Sequence, residues 1–138
     1  LPLANIVKIS DEELEFITGI SDEPKGLEFL LQGDVEVIIY TKGTNGAEFI
    51  TKERVIFSHS FKVSAQDTTG AGDSFIGSLL YQVAEGEYSL EELVTLSEEK
   101  VQEILTFSNA TAALTVCKKG AIGALPLKEE VLAKISER

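Results

Sequence analysis

Strand-like apolar runs and helix-spaced apolar residues take turns along this chain. Ile6-Val7-Lys8-Ile9 is short and β-branched and reads as a strand. Ser10-Asp11-Glu12-Glu13 fits a capping box, with Ser10 at N-cap and Glu13 at N3. The helix it opens is expected to run to Thr18, with Gly19 closing it. Pro24 fits a first helical position, and Leu27, Leu30 and Leu31 give that second helix an apolar face. Val35 to Thr41 is nearly continuous apolar, the pattern of a strand buried on both faces. Lys42-Gly43-Thr44-Asn45-Gly46 is a turn rich in residues that tolerate unusual φ. Ala47 to Thr51 and Val55 to Phe61 read as two more strands, joined by a hairpin at Lys52-Glu53-Arg54.

A Gly-rich loop occupies residues 67–73, and a helix-spaced apolar segment follows from Phe75 to Val83. Ser89 with Glu92 suggests another capping box and a short helix. Val101 to Val116 forms a long helix, with Ile104, Leu105, Ser108, Ala112 and Thr115 or Val116 at helical spacing. Lys118 and Lys119 lie where the helix macrodipole favours cations, and Gly120 is a natural stop. A loop through Ala121, Gly123 and Pro126 leads to a final helix near Lys128–Ser136. No repeat, low-complexity tract or interdomain linker interrupts the pattern. Strands alternating with helices indicate an α/β layered fold.

Composition narrows the functional classes. The 138 residues suit one domain, and 43% hydrophobic content is ordinary for a globular protein. A net charge of −11 argues against DNA, RNA or an anionic membrane as the main partner, since each wants a basic face. The acidity reads as a solubility device, and Glu12, Glu91, Glu92, Glu98 and Glu99 as exposed helix faces. A lone cysteine, Cys117, allows no intrachain disulfide and reads as a buried, inert thiol. The single histidine, His59, reads as solvated or packed, and no Cys/His cluster has metal-ligand spacing. No apolar run reaches the roughly 20 residues that span a bilayer and no secretory signal is evident, so a cytoplasmic location is expected. The chain contains no methionine and opens on an apolar segment, Leu1 to Ile9, so a fragment of a longer protein is expected.

Gly70-Ala71-Gly72 just before an amphipathic helix is an anion-site arrangement. Small residues let a phosphate approach the backbone, the free N–H groups of the first turn point at it, and the helix dipole adds positive charge. Asp73 then falls in the first turn, where the helix N-terminus favours its ionised form. It could accept the proton of an attacking hydroxyl while the amides hold a phosphoryl group. Walker A is excluded because no Gly-Lys-Ser/Thr triplet occurs, and the dinucleotide fingerprint because its third glycine would be Phe75. The alternative is a plain helix start.

The whole nonamer Asp67-Thr68-Thr69-Gly70-Ala71-Gly72-Asp73-Ser74-Phe75 resembles the C-terminal signature of the PfkB (ribokinase-like) carbohydrate kinases. Ile6 to Gly19 looks like that family's segment with an Asn-x-x-Glu element. Thr41 to Gly46 looks like its nucleotide-binding turn, and Ser108-Asn109-Ala110 to Pro126 like its adenine-side helix and loop. The resemblance covers essentially all of the chain. Bacterial and plant fructokinases look closest, through Val7-Lys8-Ile9-Ser10-Asp11-Glu12-Glu13-Leu14 and Lys119-Gly120-Ala121-Ile122. It implies a ribokinase-like layered fold, a central mostly parallel sheet flanked by helices. Residues 1–138 would be its C-terminal nucleotide-binding and catalytic part, without the N-terminal sugar-binding half and lid.

The resemblance also implies roles. Asp73 would be the catalytic base, and the amides of Gly70, Ala71 and Gly72 the anion hole. Thr41, Lys42, Gly43, Thr44, Asn45, Gly46 and Asn109 would line the ATP site. Glu13 would help hold Mg²⁺ through water. Asp67, Thr69, Val116 and Gly120 would belong to a monovalent-cation (K⁺) loop. Ser10 stands where the family often has Asn, which leaves a direct Asn-type contact open. Each segment has a plainer reading too: Ser10 and Glu13 as a cap, 41–46 as a strand connection, Asn109 as a surface residue. The implied activity is ATP-dependent transfer of the γ-phosphoryl group to a sugar hydroxyl, with fructose giving fructose 6-phosphate. The same fold would serve ribose, a keto-deoxy sugar acid or a nucleoside. A third reading is a non-catalytic nucleotide-binding fragment. The resemblance allows a homodimer of the full-length protein through the lid.

Overall fold

The computed structural model describes residues 3–118 and 125–137. Its strands are β1 (Ile6–Ser10), β2 (Val37–Thr41), β3 (Ala47–Ile50) and β4 (Val55–Ser58), hydrogen-bonded in that order into one sheet. Strands β1 and β2 run parallel, with Ile6 opposite Val37 and Ser10 opposite Thr41. The other two pairings are antiparallel. This portion of the sheet is therefore mixed, where a mostly parallel one was expected. Parallel neighbours need a long crossover, and α1 (Asp11–Thr18) with α2 (Glu23–Leu30) supplies it between β1 and β2. The segments 42–46 and 51–54 are too short for anything but hairpins. The remaining helices are α3 (Ala71–Glu85), α4 (Leu90–Val94), α5 (Glu98–Val116) and α6 (Lys128–Ser136).

Helices cover both sheet faces, which explains the continuous apolar run in β2. Successive strand residues point to opposite sides. Val37 and Ile39 pack with Phe49, Phe75, Leu79 and Leu105 on the α3–α5 side. Ile38 and Tyr40 pack with Val7, Ile9, Leu14 and Leu30 on the α1–α2 side. Burying each such aliphatic side chain contributes about 1.5–3 kcal/mol before entropy is counted. The same pleat acts on β1: Val7 and Ile9 face α1 and α2, so Ile6, Lys8 and Ser10 face α3.

The capping boxes at Ser10/Glu13 and Ser89/Glu92 form, and Gly19 closes α1 at φ 70°. Several boundaries differ from expectation: β2 starts at Val37, β3 stops at Ile50 and α3 runs Ala71–Glu85. Asp22 caps α2, so Pro24 is its second residue, not its first. Ser97 caps α5, whose start precedes Val101 by one turn of acidic residues suited to the dipole. Strand β4 stops at Ser58, not Phe61, because its partner β3 begins at Ala47, opposite Ser58. Helix α5 ends at Val116, with Cys117 as its cap; Gly120, expected as the stop, lies outside the described residues.

Polar contacts fix α3 against α5. Gln82 Nε2 donates to Ile104 O at 3.1 Å and to Ser108 Oγ at 3.2 Å, and Thr111 Oγ1 lies 3.3 Å from Ser78 Oγ. Among the described residues, no buried side-chain polar atom lacks a partner. The register of α3, and so the position of its N-terminus, is held by bonds that a slip of one turn would leave unsatisfied.

Candidate active site

Helix α3 starts on Gly70, whose φ of 81° is a left-handed conformation that other side chains resist. Ala71, Gly72 and Asp73 are its first three residues. The Ala71 N–H reaches Thr68 O at 3.3 Å, and the Ser74 N–H closes the first turn on Gly70 O at 2.8 Å. The N–H groups of Gly70, Gly72 and Asp73 have no acceptor among the described residues. Unpaired first-turn donors with the positive end of a 15-residue helix behind them make an anion cradle.

A cavity of about 280 Å³ opens at this terminus. Lys8 and Ser10 of β1, Thr41 of β2, the turn glycines Gly43 and Gly46, and Asn109 of α5 line it together with Ala71 and Gly72. The ends of two parallel strands meeting a helix N-terminus is where open α/β sheets hold ligands. Gly46 is required here on two counts. Its φ is 122°, and a Cβ would stand 2.1 Å from Ser58 O. Asn109 is buried, and its Nδ2 donates to the carbonyls of Ser58 (3.3 Å), the last β4 residue, and His59 (3.4 Å), the next one. It therefore ties α5 to the cavity wall and is not a surface residue.

The turn contributes unevenly. Lys42 N–H bonds Gly46 O at 2.9 Å, closing the turn. The Lys42 ammonium leaves the cavity for Glu48 at 3.0 Å and Glu23 at 3.2 Å. Burial opposes its charge, but the hydrogen bonds to Glu48 and then Glu23 win and raise its pKa. Thr44 and Asn45 are exposed and do not line the cavity. Asp73 is exposed on the other side of the α3 terminus. With Gly70 it lines a neighbouring cavity of about 560 Å³, whose further walls include Tyr81, Phe107 and Val131. The start of α3 is thus a partition between two cavities.

Glu13 serves the α1 cap first. Its Oε2 accepts from Ser10 N–H at 2.8 Å and Ser10 Oγ–H at 2.9 Å, with Lys8 Nζ at 3.6 Å. The Ser10 backbone N–H, then its hydroxyl, hold the carboxyl below the usual range, with Lys8 adding to them and slight burial opposing. Oε1 has no partner among the described residues. Asp11 and Glu12 are exposed, as read above for Glu12, and both also line the cavity. Among the described residues, no group of three or more His, Cys, Asp or Glu could hold a metal by itself. Two carboxylates beside an anion cradle do suit magnesium, which keeps most of its waters and shares phosphate oxygens.

The residues read as a monovalent-cation loop come together in part. Asp67 Oδ1 accepts from Thr69 N–H at 2.9 Å. Val116 O accepts from both Gln66 N–H (2.7 Å) and Asp67 N–H (3.2 Å), so its lone pairs are used. Gly120 lies outside the described residues.

Sequence reading missed Lys8 and Ser60 as cavity residues. A signal existed for Lys8: it is the one charged residue in a strand of β-branched residues, on the face that the pleat turns toward α3.

The pfkB family carbohydrate kinase model matches residues 1–128. The chain is 44% identical over 133 residues to a probable fructokinase-2 of Arabidopsis thaliana, covering 94% of this chain and 38% of that protein. It superposes with a TM-score of 0.90 on a fructokinase of Xylella fastidiosa with bound ATP, at 31% identity, over 99% of this chain and 44% of the other. A Vibrio cholerae fructokinase holding fructose, ADP and calcium matches at TM-score 0.82 and 31% identity, over 97% and 42% of the two chains. The chain thus spans about two-fifths of these relatives' lengths.

Proposed function

The chain belongs to the pfkB family of carbohydrate kinases, and from that premise we propose that it carries the phosphoryl-transfer half of an ATP-dependent fructokinase. The observation that carries this reading is the α3 N-terminus, with unpaired N–H groups on one side and the Asp73 carboxylate on the other. The ATP phosphates occupy the 280 Å³ cavity, against Gly72 and the glycines of the turn. The sugar hydroxyl approaches from the Asp73 side. Its oxygen bonds to the γ-phosphorus, the bond to the β–γ bridging oxygen breaks, and ADP leaves with that electron pair. Asp73 orients the hydroxyl and takes its proton. A carboxylate is a weak base, but a loose transition state needs little early proton removal. The N–H groups of Gly70, Gly72 and Asp73 hold the charge on the equatorial oxygens.

Asp11 and Glu12 on the cavity wall, with Glu13 acting through water, would hold Mg²⁺, which would supply positive charge to the nucleotide phosphates. No step is routed through a monovalent cation. Fructose as acceptor, giving fructose 6-phosphate, is favoured by the fructokinase relatives. On the division into halves that the family resemblance implies, the residues that grip the sugar lie outside this chain's span. The 138 residues alone are therefore expected to show weak nucleotide affinity and negligible turnover.

The test is a coupled ADP-release assay on the full-length protein with a panel of sugars, beside Asp73→Asn. The variant should lose about 10²–10⁴-fold in kcat with little change in the KM for ATP. Near-normal turnover by Asp73→Asn removes the assignment of the base, and no turnover with any sugar removes the kinase reading.

A further inference from the structure

Lys8 stands apart among the described residues that line the 280 Å³ cavity, since it is the cationic one of them. The pleat of β1 turns it toward α3, and its ammonium lies directly over the helix start. A Cβ built on Gly72 would meet Lys8 Nζ at 3.2 Å and Cε at 3.7 Å. The side chain is 22% exposed, so the charge is partly withdrawn from water yet open to the cavity. Its described ion pair, to Glu13 Oε2, is 3.6 Å long, beyond hydrogen-bond length. An ammonium has three donors, and that pair uses one at most.

The neighbouring groups sharpen the point. Ser10 Oγ is committed to Glu13, donating at 2.9 Å and accepting from the Glu13 N–H at 3.3 Å. Asp11 and Glu12 place negative charge in the same cavity. Lys42 is drawn off to Glu23 and Glu48. A polyanion entering here meets helix N–H groups, two repelling carboxylates and one mobile cation. Gly72 leaves that cation room against the helix start, where a Cβ would stand 3.2 Å from Nζ and push it back by a few tenths of an ångström.

We propose that Lys8 is a phosphate-contacting residue whose ammonium binds the terminal phosphoryl group of the nucleotide over Gly72, with Glu13 holding it in place beforehand. The proposal rests on the kinase reading above. It adds a cation supplied by the chain to the one supplied by the metal, at the oxygens where charge is redistributed during transfer.

Titration calorimetry on the full-length protein with Mg²⁺ tests it, using the β,γ-imido analogue of ATP and ADP as probes. Lys8→Met should weaken the ATP analogue at least 10-fold and ADP less than 2-fold, and should lower kcat about 100-fold with the fructose KM within 2-fold. Lys8→Arg should keep analogue affinity within about 3-fold. Equal weakening of both nucleotides would mean that Lys8 acts only through the cap of α1, and would overturn the proposal; so would no change in either. A second measurement needs no variant. Acylation of Lys8 in the unaltered protein, read by mass spectrometry, should be blocked by the ATP analogue and not by ADP, and equal labelling overturns the idea. If the unaltered protein binds neither nucleotide and phosphorylates no sugar, the kinase reading fails and takes this proposal with it. If it is active and Lys8→Met is normal, the failure belongs to Lys8 alone.

Discussion

Gly46→Ala should be far more damaging than Gly43→Ala, although both glycines lie in one turn with positive φ. At Gly43, φ is 52° and a Cβ would have nothing within 4 Å, so the cost is the left-handed backbone alone, about 1 kcal/mol. At Gly46, φ is 122°, and the new Cβ would stand 2.1 Å from Ser58 O and 3.0 Å from His59 Cα. The opposing atoms are backbone, so no rotamer change relieves the clash. Strain at such a φ costs about 1–3 kcal/mol, and overpacking of this kind about 1–3 kcal/mol more. The expected loss is therefore about 4 kcal/mol against about 1 kcal/mol at Gly43. Urea denaturation of the full-length protein separates them. With a slope of about 3 kcal/mol/M, the midpoint should fall by about 1.3 M for Gly46→Ala and about 0.3 M for Gly43→Ala. Ser58 O and His59 O also accept from Asn109, so the first variant should raise the KM for ATP as well. Midpoints within 0.3 M of each other would show that the 42–46 turn does not pack on β4 as described.

Asn109→Ala removes one buried and one part-buried hydrogen bond and should destabilise by about 1–3 kcal/mol, while Asn109→Asp should be worse because it buries a carboxylate against two carbonyls; thermal melts showing the aspartate variant equal to or above the alanine one would contradict the wall geometry. Glu13→Gln tests the α1 cap by pH. Its folded pKa is lowered from 4.5, so its stabilisation is complete above that value and is lost as pH falls through the lower folded one. The gap between Glu13→Gln and the unaltered protein should thus be open at pH 7 and close as pH falls through the lowered folded pKa in urea titrations; a gap that grows on acidification refutes the cause given. Arg54 Nη2 donates to Val94 O at 2.9 Å and to Leu96 O, tying the β3–β4 hairpin to the segment before α5. Arg54→Met should cost about 1.5–3 kcal/mol by calorimetry, with kcat unchanged, since the contact is remote from the cavity.

Local rules made much of this molecule legible. Capping boxes, the glycine closing α1 and the Gly-rich start of α3 depend on neighbours within four residues, and those held. The mixed sheet did not come from strand patterns, because β2 looks the same whether its second neighbour runs up or down. It was written in connection lengths, which the four-residue gap at 51–54 states plainly. Asn109 was read on its own helix, but its partners lie 50 and 51 residues earlier in the chain. Lys42 was read as part of a binding turn, and the acids that divert it lie on α2 and β3.

Lys8 shows where pattern reading stops and why. Strand alternation says that Lys8 and Val7 face opposite ways, and burial of Val7 against α1 and α2 says which way each goes. Nothing within β1 says what stands opposite. That is set by the packing of α3 on α5, through Gln82 and Ser108, which brings Gly72 under the ammonium. A glycine that looked necessary only for phosphate approach therefore has a second reason to lack a side chain. The bare backbone at 72 leaves its N–H groups open to an anion, and a Cβ there, 3.2 Å from Lys8 Nζ, would push the ammonium back by a few tenths of an ångström from the place where it meets them.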